Sequence, residues 1–159
     1  MRLYVIRHAV AEDPAPELAD AQRELTKDGR RKMKKVAKGL RALDITFDRM
    51  ITSPWLRAVQ TTELLASLCD TTPFTTDLLC QPPRAELLAA IAERNETTGV
   101  VGHEPWLGEL VAWLAFGDTR HGEALVLKKG GVVILEGSAV PGGMQLHAFL
   151  PPTMIRAAR

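Results

Sequence analysis

The chain is short of cysteine, of net charge and of long apolar runs, and each shortage closes a route. Its two cysteines, Cys69 and Cys80, form no Cys-x-x-Cys pair and no ligand cluster. A disulfide scaffold or a zinc ribbon is therefore not expected, and reduced thiols fit a cytoplasmic location. Twenty Lys and Arg against 19 Asp and Glu leave a net charge of +1. That balance gives no global attraction to nucleic acid or to a membrane surface. No stretch approaches the length of a membrane span, and the N-terminus runs straight into a strand pattern with no signal-peptide character. Repeats, linkers and low-complexity tracts are also missing. What remains is ordinary globular composition, 46% hydrophobic and 25% charged over 159 residues. It predicts a single domain over residues 1–159 with a substantial core.

The most informative segment is the first, Met1-Arg2-Leu3-Tyr4-Val5-Ile6-Arg7-His8-Ala9. Leu3 to Ile6 is too short for a helical period and reads as a strand buried on both faces. It ends in Arg7-His8. A second apolar run, Thr98 to Val101, ends the same way in Gly102-His103. In open α/β sheets the chemistry gathers at the carboxyl ends of strands. Two histidines far apart in the chain are thus candidates to meet.

Between them strand and helix patterns alternate. Glu12 to Glu24, with Pro14 and Pro16, reads as a loop over the strand end. Thr26 caps a helix from Lys27, with Met33, Val36, Ala37 and Leu40 recurring on one face. Phe47 to Thr52 reads as a strand. Pro54 then opens a helix whose inner face would carry Trp55, Ala58, Val59, Thr62, Leu65 and Ala66. Thr72 to Asp77 is a weak strand. Arg84 to Arg94 reads as a helix with Leu87, Leu88 and Ile91 inward, and the helix after Pro105 turns Leu107, Leu110, Val111 and Leu114 inward. Glu123 to Lys129, Gly131 to Glu136 and Met144 to Leu150 read as a closing β-meander. The order predicts an α/β three-layer sandwich, a largely parallel sheet with helices on both faces.

Arg7, Arg57, His8 and His103 form a chemically coherent set. A guanidinium is a planar fork that matches phosphate oxygens, and a neutral imidazole is a nucleophile. Together they suit phosphoryl transfer through a phosphohistidine, in which positioning and charge neutralisation do most of the catalysis. The basic run Arg30 to Lys38 is interrupted by apolar residues at helical spacing and reads as a solvated helix face. Trp106 and Trp113 read as packing residues, and Trp55 as core or pocket rim. His121 and His147 match no motif. Zinc does not suit His8 and His103, whose expected company is arginine.

Arg7-His8-Ala9 resembles the Arg-His-Gly signature of the histidine phosphatase superfamily, which has the phosphoglycerate mutase-like fold. The resemblance continues through Arg23-Glu24-Leu25-Thr26, Ser53-Pro54-Trp55-Leu56-Arg57-Ala58 and Val101-Gly102-His103-Glu104-Pro105, in order along nearly the whole chain. The short length and the Gly-His-Glu-Pro form look most like the SixA branch, whose members dephosphorylate phosphohistidine on proteins.

That resemblance implies His8 as the nucleophile, Arg7 and Arg57 on phosphate oxygens, and His103 as the second histidine of the pocket. It implies Arg23 reaching the phosphate or the substrate, though the usual Arg-Pro-Leu-Thr reads Arg-Glu-Leu-Thr here. It implies no metal and no cofactor. The expected partner is a phosphorylated histidine-containing protein, with a monomer favoured.

Two departures stand out. Ala9 replaces the signature glycine, keeping a small residue. The segment Asp77 to Pro83 has no glutamate where mutase-like and phosphomonoesterase members place a general acid. Glu86, Glu104, Glu12 and Asp13 are the alternatives, each more readily read as a solvated surface charge. A phosphoramidate needs an acid less than an ester does, because imidazole leaves more easily than an alkoxide. The rival readings are a small-molecule phosphomonoesterase of the same fold and a non-catalytic module that binds phosphorylated proteins.

Overall fold

The computed structural model describes residues 1–159. Six strands form one sheet: β1 (Arg2–Arg7), β2 (Arg49–Thr52), β3 (Phe74–Thr75), β4 (Thr98–Gly102), β5 (Val132–Gly137) and β6 (Met144–Leu150). Their spatial order is β3-β2-β4-β1-β5-β6. The first four run parallel, and β5 and β6 close the sheet as an antiparallel pair. Five helices accompany them: α1 (Lys27–Ala42), α2 (Leu56–Leu64), α3 (Ala85–Ala92), α4 (Trp106–Phe116) and the short α5 (Pro152–Ile155).

The sandwich has apolar cores on both sides of the sheet, of 18 and 17 buried residues. Near-equal cores mean that neither face is left to solvent, as a parallel sheet requires. One core joins Tyr4 and Ile6 to Met33, Val36 and Leu40 of α1, Ala58 of α2 and Ile155 of α5. The other joins Leu3 and Val5 to Leu87 and Ile91 of α3 and to Leu107, Leu110 and Leu114 of α4. Alternate residues of β1 thus feed opposite layers, the period of two that a strand imposes. α1 starts where its cap sequence places it: the Thr26 hydroxyl accepts from the Gly29 amide at 2.8 Å.

Several expectations need correction. Glu123 to Lys129 is not a strand. It holds a single 3-10 turn, Gly122–Ala124, followed by irregular chain. β1 already pairs with β4 on one edge and β5 on the other, so the segment has no sheet edge beside β1 to join. The expected meander is therefore a two-stranded hairpin. β3 keeps only two residues, both exposed, at the outer edge. β2 begins at Arg49, and Phe47 makes only an isolated bridge to Cys69.

Of the expected inner face of α2, Ala58, Thr62 and Leu65 are buried, Trp55 and Val59 are half-buried and Ala66 is exposed, and Arg57, Gln60 and Thr61 are buried as well. Its polar face is satisfied one group at a time. The Leu25 amide donates to Gln60 Oε1 at 2.8 Å, and the Ala9 amide donates to Thr61 Oγ1 at 3.0 Å. Hydrogen bonds of this kind make a buried polar face tolerable.

Candidate active site

The carboxyl ends of β1, β2 and β4 lie side by side. β4 pairs with both others, with Arg7 opposite Gly102 and Thr52 opposite Val101. His8, Ser53 and His103, each just past its strand end, are therefore delivered to one place. The imidazole centroids of His8 and His103 are 5.2 Å apart. Both rings are buried, at 5% and 2% exposure.

The His8 ring is held in one tautomer. Nδ1 lies 2.7 Å from the Ala9 carbonyl oxygen, which can only accept, so Nδ1 carries the proton. Nε2 then presents its lone pair, to which Arg57 Nε donates at 3.3 Å. Burial pushes the His8 pKa down to about 3, against the pull of the Ala9 carbonyl, and the charges of Arg57, Arg7 and Lys129 push the same way. His103 is also lowered to about 3, first by burial and then by His8 and Arg57. Both rings are neutral at physiological pH.

His103 Nε2 meets Ser53 Oγ at 2.7 Å, while its Nδ1 is buried with no protein partner. Ser53 Oγ also accepts from the Trp55 amide at 3.2 Å and lies 3.2 Å from Cys80 Sγ. Trp55 stacks obliquely on His103 at 4.6 Å between centroids and meets Trp106 at 5.8 Å. Both indoles are half-buried, so Trp55 forms a rim and Trp106 joins it.

Two arginines flank the histidines. Arg7 Nη1 donates to the Leu127 carbonyl at 2.9 Å, and its buried Nε has no partner. Arg57 is anchored by Asp20: Nη1 donates to the Asp20 carbonyl at 2.7 Å and Nη2 to its carboxylate at 3.0 Å. Arg57 also lies over the Trp55 ring, 4.8 Å from the centroid. Burial lowers the pKa of both guanidiniums, and Asp20 opposes that shift at Arg57. Arg23 is held at the same carboxylate, with Nε 2.7 Å from Asp20 Oδ1, and so stands beside Arg57 without touching the histidines.

Asp20 is the residue that the sequence did not single out. It opens a 3-10 turn, Asp20–Gln22, within the segment read as a loop, and its only sequence signal is its position three residues before Arg23. Partial burial raises its pKa, but hydrogen bonds from Arg23 and Arg57 outweigh that and hold the carboxyl below its usual range. Among the candidate acids, Glu12, Asp13 and Glu86 are exposed. Glu104 is half-buried, accepts from the Gly108 amide at 3.2 Å, and has a second oxygen with no partner. Burial raises its pKa, opposed by the Gly108 amide and by Arg7. No group of three or more His, Cys, Asp or Glu side chains gathers to hold a metal ion.

The geometry joins two neutral imidazoles, two guanidinium forks and two buried ring or guanidinium nitrogens without partners. A model of the histidine phosphatase superfamily (branch 1) matches residues 3–80. An uncharacterised protein of Picosynechococcus sp. is 40% identical over 146 residues, 87% of each chain. The phosphohistidine phosphatase SixA of Escherichia coli is 30% identical over 128 residues, covering 75% of this chain and 77% of SixA. The chain belongs to the histidine phosphatase superfamily.

Solved structures of the superfamily's fold superpose closely. The protein histidine phosphatase SixA complexed with tungstate gives a TM-score of 0.79 at 23% identity, covering 96% of this chain and 98% of its own. The α-ribazole phosphatase of Shigella flexneri gives 0.74 at 16% identity, covering 96% and 97%. At such identities the likeness concerns the fold, which is phosphoglycerate mutase-like. No helix is long and apolar enough to cross a membrane.

Proposed function

We propose that this protein is a metal-independent phosphohistidine phosphatase, acting in the cytoplasm as a monomer on a phosphorylated histidine-containing protein. One observation carries the reading. A neutral His8, whose Nε2 lone pair is met only by Arg57 Nε at 3.3 Å, stands at the strand end beside Arg7, and Arg7 Nε and His103 Nδ1 are buried without partners, Nδ1 being a donor when Ser53 Oγ donates to Nε2. A buried polar group left unmatched costs about 1–3 kcal/mol, and phosphoryl oxygens would satisfy both.

His8 Nε2 attacks phosphorus, and the P–N bond to the substrate imidazole breaks. The leaving imidazole keeps the electron pair and takes up a proton. Water then attacks phosphorus, releases orthophosphate and restores His8. Arg7, Arg57 and His103 spread the negative charge of both transition states. The Asp20 backbone carbonyl keeps Arg57 aimed, and Arg23 reaches toward the rest of the substrate.

A second reading, a small-molecule phosphomonoesterase, draws on Glu104. Its pKa is raised by burial, which is what a proton donor to an alkoxide requires. Two measurements decide. Labelled substrate should leave an acid-labile, alkali-stable phosphoenzyme that disappears in His8→Ala; persistence of the label refutes the nucleophile. Phosphohistidine should exceed alkyl phosphates in kcat/KM by about 10²–10⁴, the worth of a missing general acid. Efficient hydrolysis of alkyl phosphates, lost in Glu104→Gln, would establish the second reading instead.

A further inference from the structure

Beside the histidine pair lies a cavity of about 370 Å³ that the reaction above does not use. α1 forms one side, through Lys32, Met33 and Val36. The loop before β5 forms another, through Lys128 and Lys129, and Arg156, just after α5, closes the third. Arg7 and Ala9, the residues on either side of His8, lie in its wall, so the cavity adjoins the strand end that carries the phosphoryl site.

Five cationic residues line this space, and no acidic residue does. Lys32 is already paired with Asp28 at 2.6 Å, and Arg7 is partly engaged by the Leu127 carbonyl. Lys128, Lys129 and Arg156 make no ion pair. Like charges gathered around one space repel one another, an arrangement that a binding anion relieves.

The placement is fixed by backbone. The Gly130 amide donates to the carbonyls of Arg7 and His8 at 3.0 and 3.2 Å, tying the lysine loop to the nucleophile's own strand end. Gly130 holds a φ of +78°, a conformation glycine adopts without strain. Across the cavity, a Cβ at Gly29 would come within 2.1 Å of the Val10 carbonyl oxygen, so α1 is packed directly against the loop that follows His8. At ~30 Å³ per water the cavity holds about a dozen waters, more room than one phosphoryl group needs.

We propose that this cavity is a second anion subsite, which takes a carboxylate or a further phosphoryl group carried by the same substrate whose scissile phosphoryl sits at His8. It rests on the preceding reading only for where the scissile group lies. Arg7 and Ala9 in the lining, with Gly130 bonded to the Arg7 and His8 carbonyls, fix the neighbourhood: the second anion belongs next to the scissile group, on the side of Lys128 and Arg156. A protein substrate would supply acidic side chains beside its phosphohistidine. A small substrate would supply a second phosphate.

The test has two arms, each using wild type and the double variant Lys128→Gln/Arg156→Gln. In the first, tripolyphosphate is titrated while the amide resonances of Gly29 and Gly130 report the cavity and those of Ser53 and Trp55, which contact His103 and lie outside the cavity, report the phosphoryl site. Gly29 and Gly130 should respond in wild type, with affinity falling about tenfold in the variant, as expected for two partly screened ion pairs. The response of Ser53 and Trp55 to orthophosphate should stay unchanged. A response confined to Ser53 and Trp55, or an equal one in both proteins, overturns the subsite.

In the second arm, kcat/KM is compared for phosphohistidine peptides flanked by Asp and Glu or by Asn and Gln, and for a phosphoramidate with and without a second phosphoryl group. A five- to tenfold preference for the more anionic member, lost in the variant, supports the subsite, and the pair that shows it identifies the source. Equal rates within both pairs, or an equal loss on neutral and anionic substrates, overturn it. If no phosphoramidate turns over at all, the phosphohistidine reading falls, and the tripolyphosphate arm still decides the subsite.

Discussion

Acidification from pH 8 to pH 5 should strip away much of the protein's stability, and the histidine pair should be the reason. Burial lowers His8 and His103 from 6.5 to about 3 in the folded protein. Between those limits the unfolded chain binds protons that the folded chain does not, so stability falls as pH falls. Their neutrality is fully compatible with folding above the unfolded value, and the penalty grows until pH drops through about 3. Each histidine then contributes a slope of up to about 1.4 kcal/mol per pH unit, so the pair costs about 4 kcal/mol at pH 5 relative to pH 8. Against a typical total of about 5–15 kcal/mol that is a large share.

Urea denaturation at pH 8, 7, 6 and 5, extrapolated to water, measures it. The double variant His8→Asn/His103→Asn should flatten the profile over this interval, which lies above the ordinary range of carboxylates. A wild-type profile as flat as the variant's would refute the reasoning. So would imidazole nitrogen resonances that titrate near pH 6.5.

Other outcomes follow from single contacts. Asp20→Asn removes a negative charge from Arg57 and Arg23 while the Asp20 backbone carbonyl still holds Arg57 Nη1; vanadate should bind several-fold tighter, and weaker binding would show that the carboxylate is needed for aim. Gly39→Ala would place a Cβ 1.9 Å from the Ile155 carbonyl oxygen, so α5 must shift, at a cost of about 1–3 kcal/mol in a denaturant titration; an unchanged midpoint would contradict that packing. Exhaustive chelation should leave turnover intact, because arginines and histidines meet the phosphate charge. Loss of activity restored by magnesium, manganese or zinc would reject that arrangement.

The sequence made the site's centre legible because motif residues stand at strand ends. His8 and His103 follow short apolar runs, and such runs carry direction as well as burial. Arg57 was readable as the guanidinium one turn into a helix after a strand. Asp20 was not, because its contacts come from a loop whose course no periodicity describes. Gln60 and Thr61 on the inner face of α2 were missed for a related reason. Their burial is satisfied by Leu25 and Ala9, distant in sequence, so the apolar stripe was a poor guide to them. The segment from Glu123 to Lys129 has strand-like composition, but pairing depends on a free edge, and β5 had taken it. α5 is four residues long, too short to show a helical period.

The order of strands also bears on when the protein can first become active during its synthesis. β1 and β2 make no ladder with each other; each pairs with β4, which lies between them. A nascent chain that stops before Thr98 already carries His8 and Arg57, 49 positions apart, but lacks the strand that brings their two ends together. β4 is the keystone, and it brings His103 with it. Incomplete chains therefore cannot assemble the histidine pair, and under the proposed mechanism completion of the sheet's middle is itself the licence to react.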